Sequence, residues 1–310
     1  MKRITLTTPT TTSQLKKINR PIVDAVEKIV VDHLDKDGAQ RVIKLLVALI
    51  GEKTLQDLSV SGKSKKKKVR PSHGYLSGYK PIKKFSLEKI LIDLHRQADI
   101  ISKLFGVKPS FDLEWTRKNW ENIHKYAERL FLVLKWQSIA PVYAEAVEIV
   151  LSKLNEVYGG HFQSYCEGKL GGQYLRQQVL TASTFQKLGE EQNGYDIIVI
   201  SAQFGLRHRG RSVHRVREVL LDNEFELSVF AVGIMLLTHH DRLKRYNDLW
   251  INCAGDGYTS SAGSEFLHAL VFRFVGDKLR LGTSSVSGAC NSCGSASGFF
   301  LKAETCSLRY

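Results

Sequence analysis

The stretch that decides the fold reads YDIIVISAQFGLRHRGRSVHRVREV, from Tyr195 to Val219. Its first part, up to Ile200, is apolar and rich in β-branched residues, which predicts a buried strand. The second part contains five arginines and two histidines, with no carboxylate between Asp196 and Glu218. Because a planar guanidinium group can make two parallel hydrogen bonds to an anion, this segment predicts phosphate binding. The candidate contacts are Arg207, Arg209, Arg211, Arg215 and Arg217.

The positive charge of the chain is gathered into two places. The formal net charge is +14, and residues 61–85 carry nine Lys or Arg and no acid. The five arginines of residues 197–217 complete that excess, so the rest of the chain is balanced. A merely basic protein would be expected to disperse its charge. Two concentrated basic segments therefore predict an anionic partner, and nucleic acid is the leading candidate.

Residues 61–85 are predicted to form a basic, flexible linker, because Pro71, Gly74, Gly78 and Pro81 interrupt regular structure. Lysines interleaved with aromatic rings suit a single strand, whose phosphates attract cations and whose bases stack on rings. The alternatives are a solvated tail or a nuclear import signal. The candidate nucleic-acid contacts here are Lys63, Lys65, Lys66, Lys67, Lys68, Arg70, Tyr75, Tyr79, Lys80, Lys83 and Lys84.

The patterns on either side predict an α+β protein. Residues 1–60 are interpreted as a short helical region with a disordered N-terminal tail, either a helix-turn-helix head or a plain packing unit. Residues 86–192 are predicted to form a helical domain, and residues 193–310 an α+β domain with helices against a small sheet. The predicted helices of the middle region begin at Ser86, at Thr116 (running to Leu134), at Pro141 and at Gln173.

The C-terminal region is predicted to contain an apolar helix over 225–237, capped by Asn223. Strands are expected at 248–253, 266–275 and 278–281, with a hairpin turn at Gly276-Asp277. The small polar residues of 284–298 predict a loop, and 299–302 is expected to close the sheet. The apolar run at 225–237 is too short to cross a bilayer, which needs about 20 residues, so no membrane partner is predicted.

Three carboxylates offer an enzymatic alternative. Asp248 begins a predicted strand, Asp256 follows its end, and Glu265 precedes the next strand. Carboxylates at strand ends can hold Mg²⁺ for phosphodiester cleavage, which is the one cofactor the sequence raises. The competing interpretation is that they are turn formers, since Asp beside Gly is a common turn pair.

The cysteines suggest neither disulfides nor zinc. Their number is odd, five, which favours a reducing, cytoplasmic location. Cys290 and Cys293 form a lone C-x-x-C, whereas structural zinc needs four ligands. The other candidates, Cys253, Cys306 and His268, are scattered, so two ordinary thiols are expected.

The sequence thus predicts a non-catalytic protein that contacts the phosphate backbone through a Lys-rich arm and an Arg cluster. Three alternatives stay open. One is a metal-dependent nuclease or nucleotide-processing enzyme that uses the strand-end carboxylates. Another is a receptor for a small anionic ligand such as a nucleotide, with the arginine cluster lining a pocket. The last is a protein whose basic patches dock an acidic protein.

Overall fold

The computed structural model describes residues 74–82 and 86–300, and the elements in them confirm the predicted α+β class. The α-helices of this part are α1 (Leu87–Phe105), α2 (Leu113–Asn119), α3 (Tyr143–Val157), α4 (Val179–Glu191), α5 (Val213–Val219) and α6 (Val229–Thr238). The strands are β1 (Arg129–Leu134), β2 (Phe162–Ser164), β3 (Leu175–Gln177), β4 (Ile197–Gln203), β5 (Glu224–Glu226), β6 (Trp250–Tyr258), β7 (His268–Val275), β8 (Lys278–Ser285), β9 (Cys293–Ser295) and β10 (Ser297–Phe299).

The strands form two sheets rather than the single small sheet expected. The first has the antiparallel order β1-β4-β10-β5, and every residue of β4 is buried. The second has the order β2-β8-β7-β6-β3, with β9 paired to β6. The predicted strand after Asp196 is confirmed as β4, at the centre of the first sheet. It therefore delivers the arginine segment from the core to the surface.

Helix α6 is the most buried helix in the described part of the chain, and all ten of its residues lie inside. It packs against α1, α3, β1 and β6. The predicted burial is confirmed, but the predicted start is wrong. Glu224–Glu226 pairs with β10 as a strand, and Ser228 caps the helix by accepting a hydrogen bond from the Ala231 N–H.

The predicted helix from Thr116 to Leu134 is wrong. Helix α2 begins after Asp112, whose side chain accepts from the Trp115 N–H, and ends at Asn119. Residues 129–134 form β1, which pairs with β4. Its apolar run is covered on both faces, so the alternation that marks a half-buried strand is missing. This pairing joins segments 86–192 and 193–310 in one sheet; that each folds as a separate domain stays a prediction.

Two further expectations needed correction. The predicted helix from Gln173 begins only at Val179, because residues 175–177 pair with β6 as β3. The region 284–298, predicted to be a loop, contains strand β9 and the first two residues of β10. All residues of both strands are buried. At Gly298 an added Cβ would lie 2.3 Å from the Phe225 ring, so only glycine fits there. The predicted hairpin turn at residues 276–277 is confirmed, since it joins β7 to β8.

Residues 74–82 form no helix or strand, yet they are anchored to the core. The Asp248 carboxylate accepts from the backbone N–H groups of Leu76 and Ser77, both at 2.7 Å. Tyr79 is 3% exposed. The described part of the predicted linker is therefore held by specific contacts. The predictions for residues 1–60 and for the lysine run lie outside the described residues.

Candidate nucleic-acid interface

The arginine segment leaves β4 through a tight junction with β9. Gly205 has a φ of 117°, in the left-handed region that favours glycine. A Cβ on Gly205 would lie 2.6 Å from the Gly294 carbonyl oxygen, and one on Gly294 would lie 2.1 Å from the Gly205 oxygen. The Gly210 N–H then donates to the Cys293 carbonyl at 2.8 Å. The start of the segment is therefore fixed against the second sheet.

Arg207 is neutralised by a buried carboxylate. Its Nε lies 2.9 Å from both oxygens of Glu224, whose side chain has no exposed surface. Glu224 also accepts from His208 Nε2 at 2.8 Å and from the Ser297 hydroxyl at 2.6 Å. Burial acts to raise the pKa of Glu224, but these donors outweigh it and hold that pKa at about 2. Glu224 is therefore ionised at neutral pH and fixes the Arg207 stem.

His208 orients Arg211. Arg211 Nη1 lies 3.0 Å from His208 Nδ1, and because a guanidinium only donates, Nδ1 must accept. His208 is thus the neutral tautomer that carries its proton on Nε2, consistent with burial, which lowers its pKa. The pKa of the Arg211 guanidinium is lowered by burial and by the charges of Arg207 and Arg215. Positive charges thus crowd around Arg211.

Two more arginines of the segment are paired. Arg215 Nη1 lies 2.5 Å from Glu218 Oε2, one turn along α5. Arg217 Nε lies 3.1 Å from Glu226 Oε1, and its Nη2 donates to the Ala254 carbonyl at 3.0 Å.

Arg209 and Arg211 differ from the other three arginines. Neither has a carboxylate within 4.0 Å among the described residues. Arg209 is exposed, and Arg211 is partly exposed. The segment that looked uniform in the sequence is thus divided by the fold into internally paired arginines and two with unbalanced charge.

An exposed aromatic ring lies beside this segment. The Arg207 guanidinium carbon lies 4.4 Å from the centroid of Tyr126, and Lys125 Nζ lies 5.2 Å from it. Tyr126 is 43% exposed. We call the group Lys125, Tyr126, Arg207, Arg209 and Arg211 the Tyr126 patch. Lys125 and Tyr126 were not predicted from the sequence. The signal that could have found them is a lysine next to a tyrosine, the same pattern that suggested nucleic-acid contacts in the linker.

The candidate aromatic residues of the linker are used inside the protein. Tyr79 packs edge-on against the rings of Tyr75 and Phe204. The Tyr75 hydroxyl donates to Glu128, and the Arg242 guanidinium lies over the Tyr75 ring at 3.6 Å. Lys80 is exposed. The remaining candidates of the arm lie outside the described residues: Lys63, Lys65, Lys66, Lys67, Lys68, Arg70, Lys83 and Lys84.

The three candidate catalytic carboxylates are not brought together. Asp248, before the start of β6, accepts four backbone N–H bonds, including those of Lys244 and Arg245 at 3.0 and 2.8 Å. Asp256, near the other end of β6, accepts from the Val229 N–H at 2.5 Å. Burial raises the pKa of Asp256 to about 7. Glu265 is exposed in the following loop.

No group of three or more His, Cys, Asp or Glu side chains suited to a metal ion occurs within residues 74–82 and 86–300. Cys290 and Cys293 are free thiols. The hydrogen bond between them lowers the pKa of Cys290 to about 6. The alternative Mg²⁺ or zinc centres therefore gain no support from this part of the chain.

No protein family, curated protein or solved structure matches this chain. In the described part, no helix has both the length and the apolar character needed to span a bilayer.

Proposed function

We propose that this chain is a nucleic-acid-binding protein whose Tyr126 patch contacts the phosphate backbone and stacks one base. The observation that carries the proposal is the exposed ring of Tyr126 beside Arg207, in the same segment as Arg209 and Arg211, which have no described carboxylate within 4.0 Å. Arg209, Arg211 and Lys125 would bind phosphates, and the free part of the Tyr126 ring would stack on a base. The Lys-rich arm would add backbone contacts without sequence preference.

Exposure favours a polymer over a small enclosed ligand at this patch. Tyr126 and Arg209 are both exposed, whereas a small-molecule site buries most of its ligand. Buried Glu224 and His208 hold the stems of Arg207 and Arg211, so those two side chains are ordered before binding. Ordering beforehand lowers the entropy cost of association. A cytoplasmic location, with reduced cysteines, is part of the same proposal.

Fluorescence anisotropy with a labelled single-stranded oligonucleotide tests the proposal. Arg209→Gln is expected to weaken binding, because it removes a phosphate contact. Tyr126→Ala is expected to weaken binding about tenfold through loss of stacking, while Tyr126→Phe keeps the ring and the affinity.

Arg215→Gln is the matched control. It changes the net charge by the same amount as Arg209→Gln, but removes an arginine that already pairs with Glu218. A smaller effect of Arg215→Gln is expected. Equal losses for the two variants, or no binding by the unmodified chain, would contradict the proposal.

A further inference from the structure

Two arginines lie directly opposite each other on the second sheet, outside the Tyr126 patch. Arg273 of β7 is the antiparallel partner of Arg280 of β8, so both side chains project from the same face. Like charges placed opposite each other in this way destabilise a sheet unless something neutralises them.

No carboxylate of the described residues neutralises this pair. No carboxylate lies within 4.0 Å of either guanidinium in residues 74–82 and 86–300. The Nε atoms of Arg273 and Arg280 are both buried and have no hydrogen-bond partner. The described structure gives Arg280 one acceptor, the Tyr165 hydroxyl at 2.9 Å from Nη1, and gives Arg273 none. Two guanidinium groups without a carboxylate partner leave unbalanced positive charge on this face, so it is suited to an incoming anion.

Aromatic rings flank the two cations. The Arg273 guanidinium carbon lies 5.2 Å from the Trp250 ring centroid and 5.9 Å from that of Tyr165. Arg280 lies 5.9 Å from the Tyr165 centroid. Tyr165 is 52% exposed, so it can still receive a planar group. The Arg273 fork also lies against Gly282, where an added Cβ would come 3.5 Å from Nη2.

We propose that Arg273 and Arg280 form a binding site for the phosphate group of a nucleotide, with its base stacked on the exposed ring of Tyr165. Two adjacent guanidinium forks match the several acceptor oxygens of a phosphate, and the ring recognises any planar base. The same chemistry fits a free mononucleotide and one unit of a single strand. The site uses no residue of the Tyr126 patch, so substitutions at Arg273, Arg280 and Tyr165 test it independently of the proposed function.

Calorimetry on the full chain would measure binding of AMP, of inorganic phosphate and of the dinucleotide ApA. AMP represents the free ligand, and ApA represents a strand unit with a phosphodiester. Arg273→Gln and Arg280→Gln are each expected to weaken binding at least about tenfold, because charge-assisted hydrogen bonds are lost. Tyr165→Ala is expected to weaken the binding of AMP but to leave the binding of inorganic phosphate unchanged. AMP is also expected to quench Trp250, and Trp250→Phe would abolish that change in fluorescence.

Arg117→Gln removes an exposed arginine of α2 that belongs to neither proposed site, so it is the matched control and is expected to bind AMP normally. Arg273→Lys keeps the charge but loses the planar fork, so it separates recognition from general attraction and replaces Arg273→Gln if that variant fails to fold. The proposal is overturned if neither AMP nor ApA binds. It is also overturned if AMP binding is unaffected by substitutions at Arg273 and Arg280. Acetate, titrated as a control anion, would overturn it by binding as tightly as AMP.

Discussion

Buried carboxylates take different charge states in this protein according to their hydrogen-bond donors. Glu224 accepts from Arg207, His208 and Ser297 and is held ionised, with a pKa of about 2. Two positions along β5, burial raises the pKa of Glu226 to about 7, although Arg217 opposes the change. Asp256 has a similar pKa, because burial outweighs its hydrogen bonds and the charge of Glu226 adds to the effect. Near neutral pH, two interior acids are therefore poised between charge states.

These pKa values predict that the free energy of unfolding falls as pH rises toward 8. Between about pH 4.5 and 7 the folded chain keeps protons on Glu226 and Asp256 that the unfolded chain releases. Because the folded state then binds more protons, stability decreases with pH, and the contribution is lost above about pH 7. The loss is on the order of 3 kcal/mol for each group. Glu224 acts oppositely, and its contribution is lost as pH falls below about 4.5 toward 2. Urea unfolding measured from pH 5 to 8 checks this.

Asp256→Asn isolates one of the two groups. The amide stays neutral and keeps an oxygen for the Val229 N–H, so the variant is expected to lose roughly half of the pH dependence. Glu265→Gln, which removes an exposed carboxylate, is the control. Its stability is expected to depend on pH as that of the unmodified chain does. An unaltered pH profile in Asp256→Asn would contradict the assignment.

At the scale of helices and strands, the sequence predicted those secondary-structure elements that short-range sequence patterns specify. Helices α1 and α3 follow from helical periodicity and from the glycines at or after their C-terminal ends, and the hairpin of β7 and β8 follows from its Gly-Asp turn. Strand β1 was missed because a short apolar run buried on both faces has no period that separates strand from helix. Its partner, β4, is distant in sequence.

Strands β9 and β10 were missed for another reason. They consist largely of Gly, Ser and Cys, which are not typical strand formers, and they form where larger residues would not fit. The Phe225 ring against Gly298 and the Gly205 backbone against Gly294 are examples. Such contacts depend on the assembled core and have no local signature.

The close contact between Gly205 and Gly294, where the arginine segment leaves β4, gives a prediction for packing between elements. Gly294→Ala would place a Cβ 2.1 Å from the Gly205 oxygen, and the clash involves backbone that cannot rotate away. The free energy of unfolding is expected to fall by about 2 kcal/mol or more. Gly171→Ala is the matched control, because an added Cβ there meets nothing within 4 Å. Equal urea unfolding midpoints for the two variants would contradict the close contact between the backbone at Gly205 and strand β9.

At the scale of the whole molecule, the sequence located the basic segment but could not show which of its charges are available. Arg207, Arg215 and Arg217 pair with Glu224, Glu218 and Glu226, which all follow the segment in sequence. Counting charges within 197–217 could not reveal those pairs, because the helix and strand geometry makes them. Tyr126 comes from a separate part of the chain, and the fold alone brings it to Arg207.

The most direct test of the central claim is the salt dependence of oligonucleotide binding by the unmodified chain and by the double variant Arg209→Gln/Arg211→Gln. On single strands each phosphate contact contributes about 0.7 to the slope of log affinity against log salt. If Arg209 and Arg211 contact phosphates, the double variant binds more weakly and its slope is smaller by about 1.4. An identical slope in the two proteins, or an affinity that does not change with salt, would contradict the central claim.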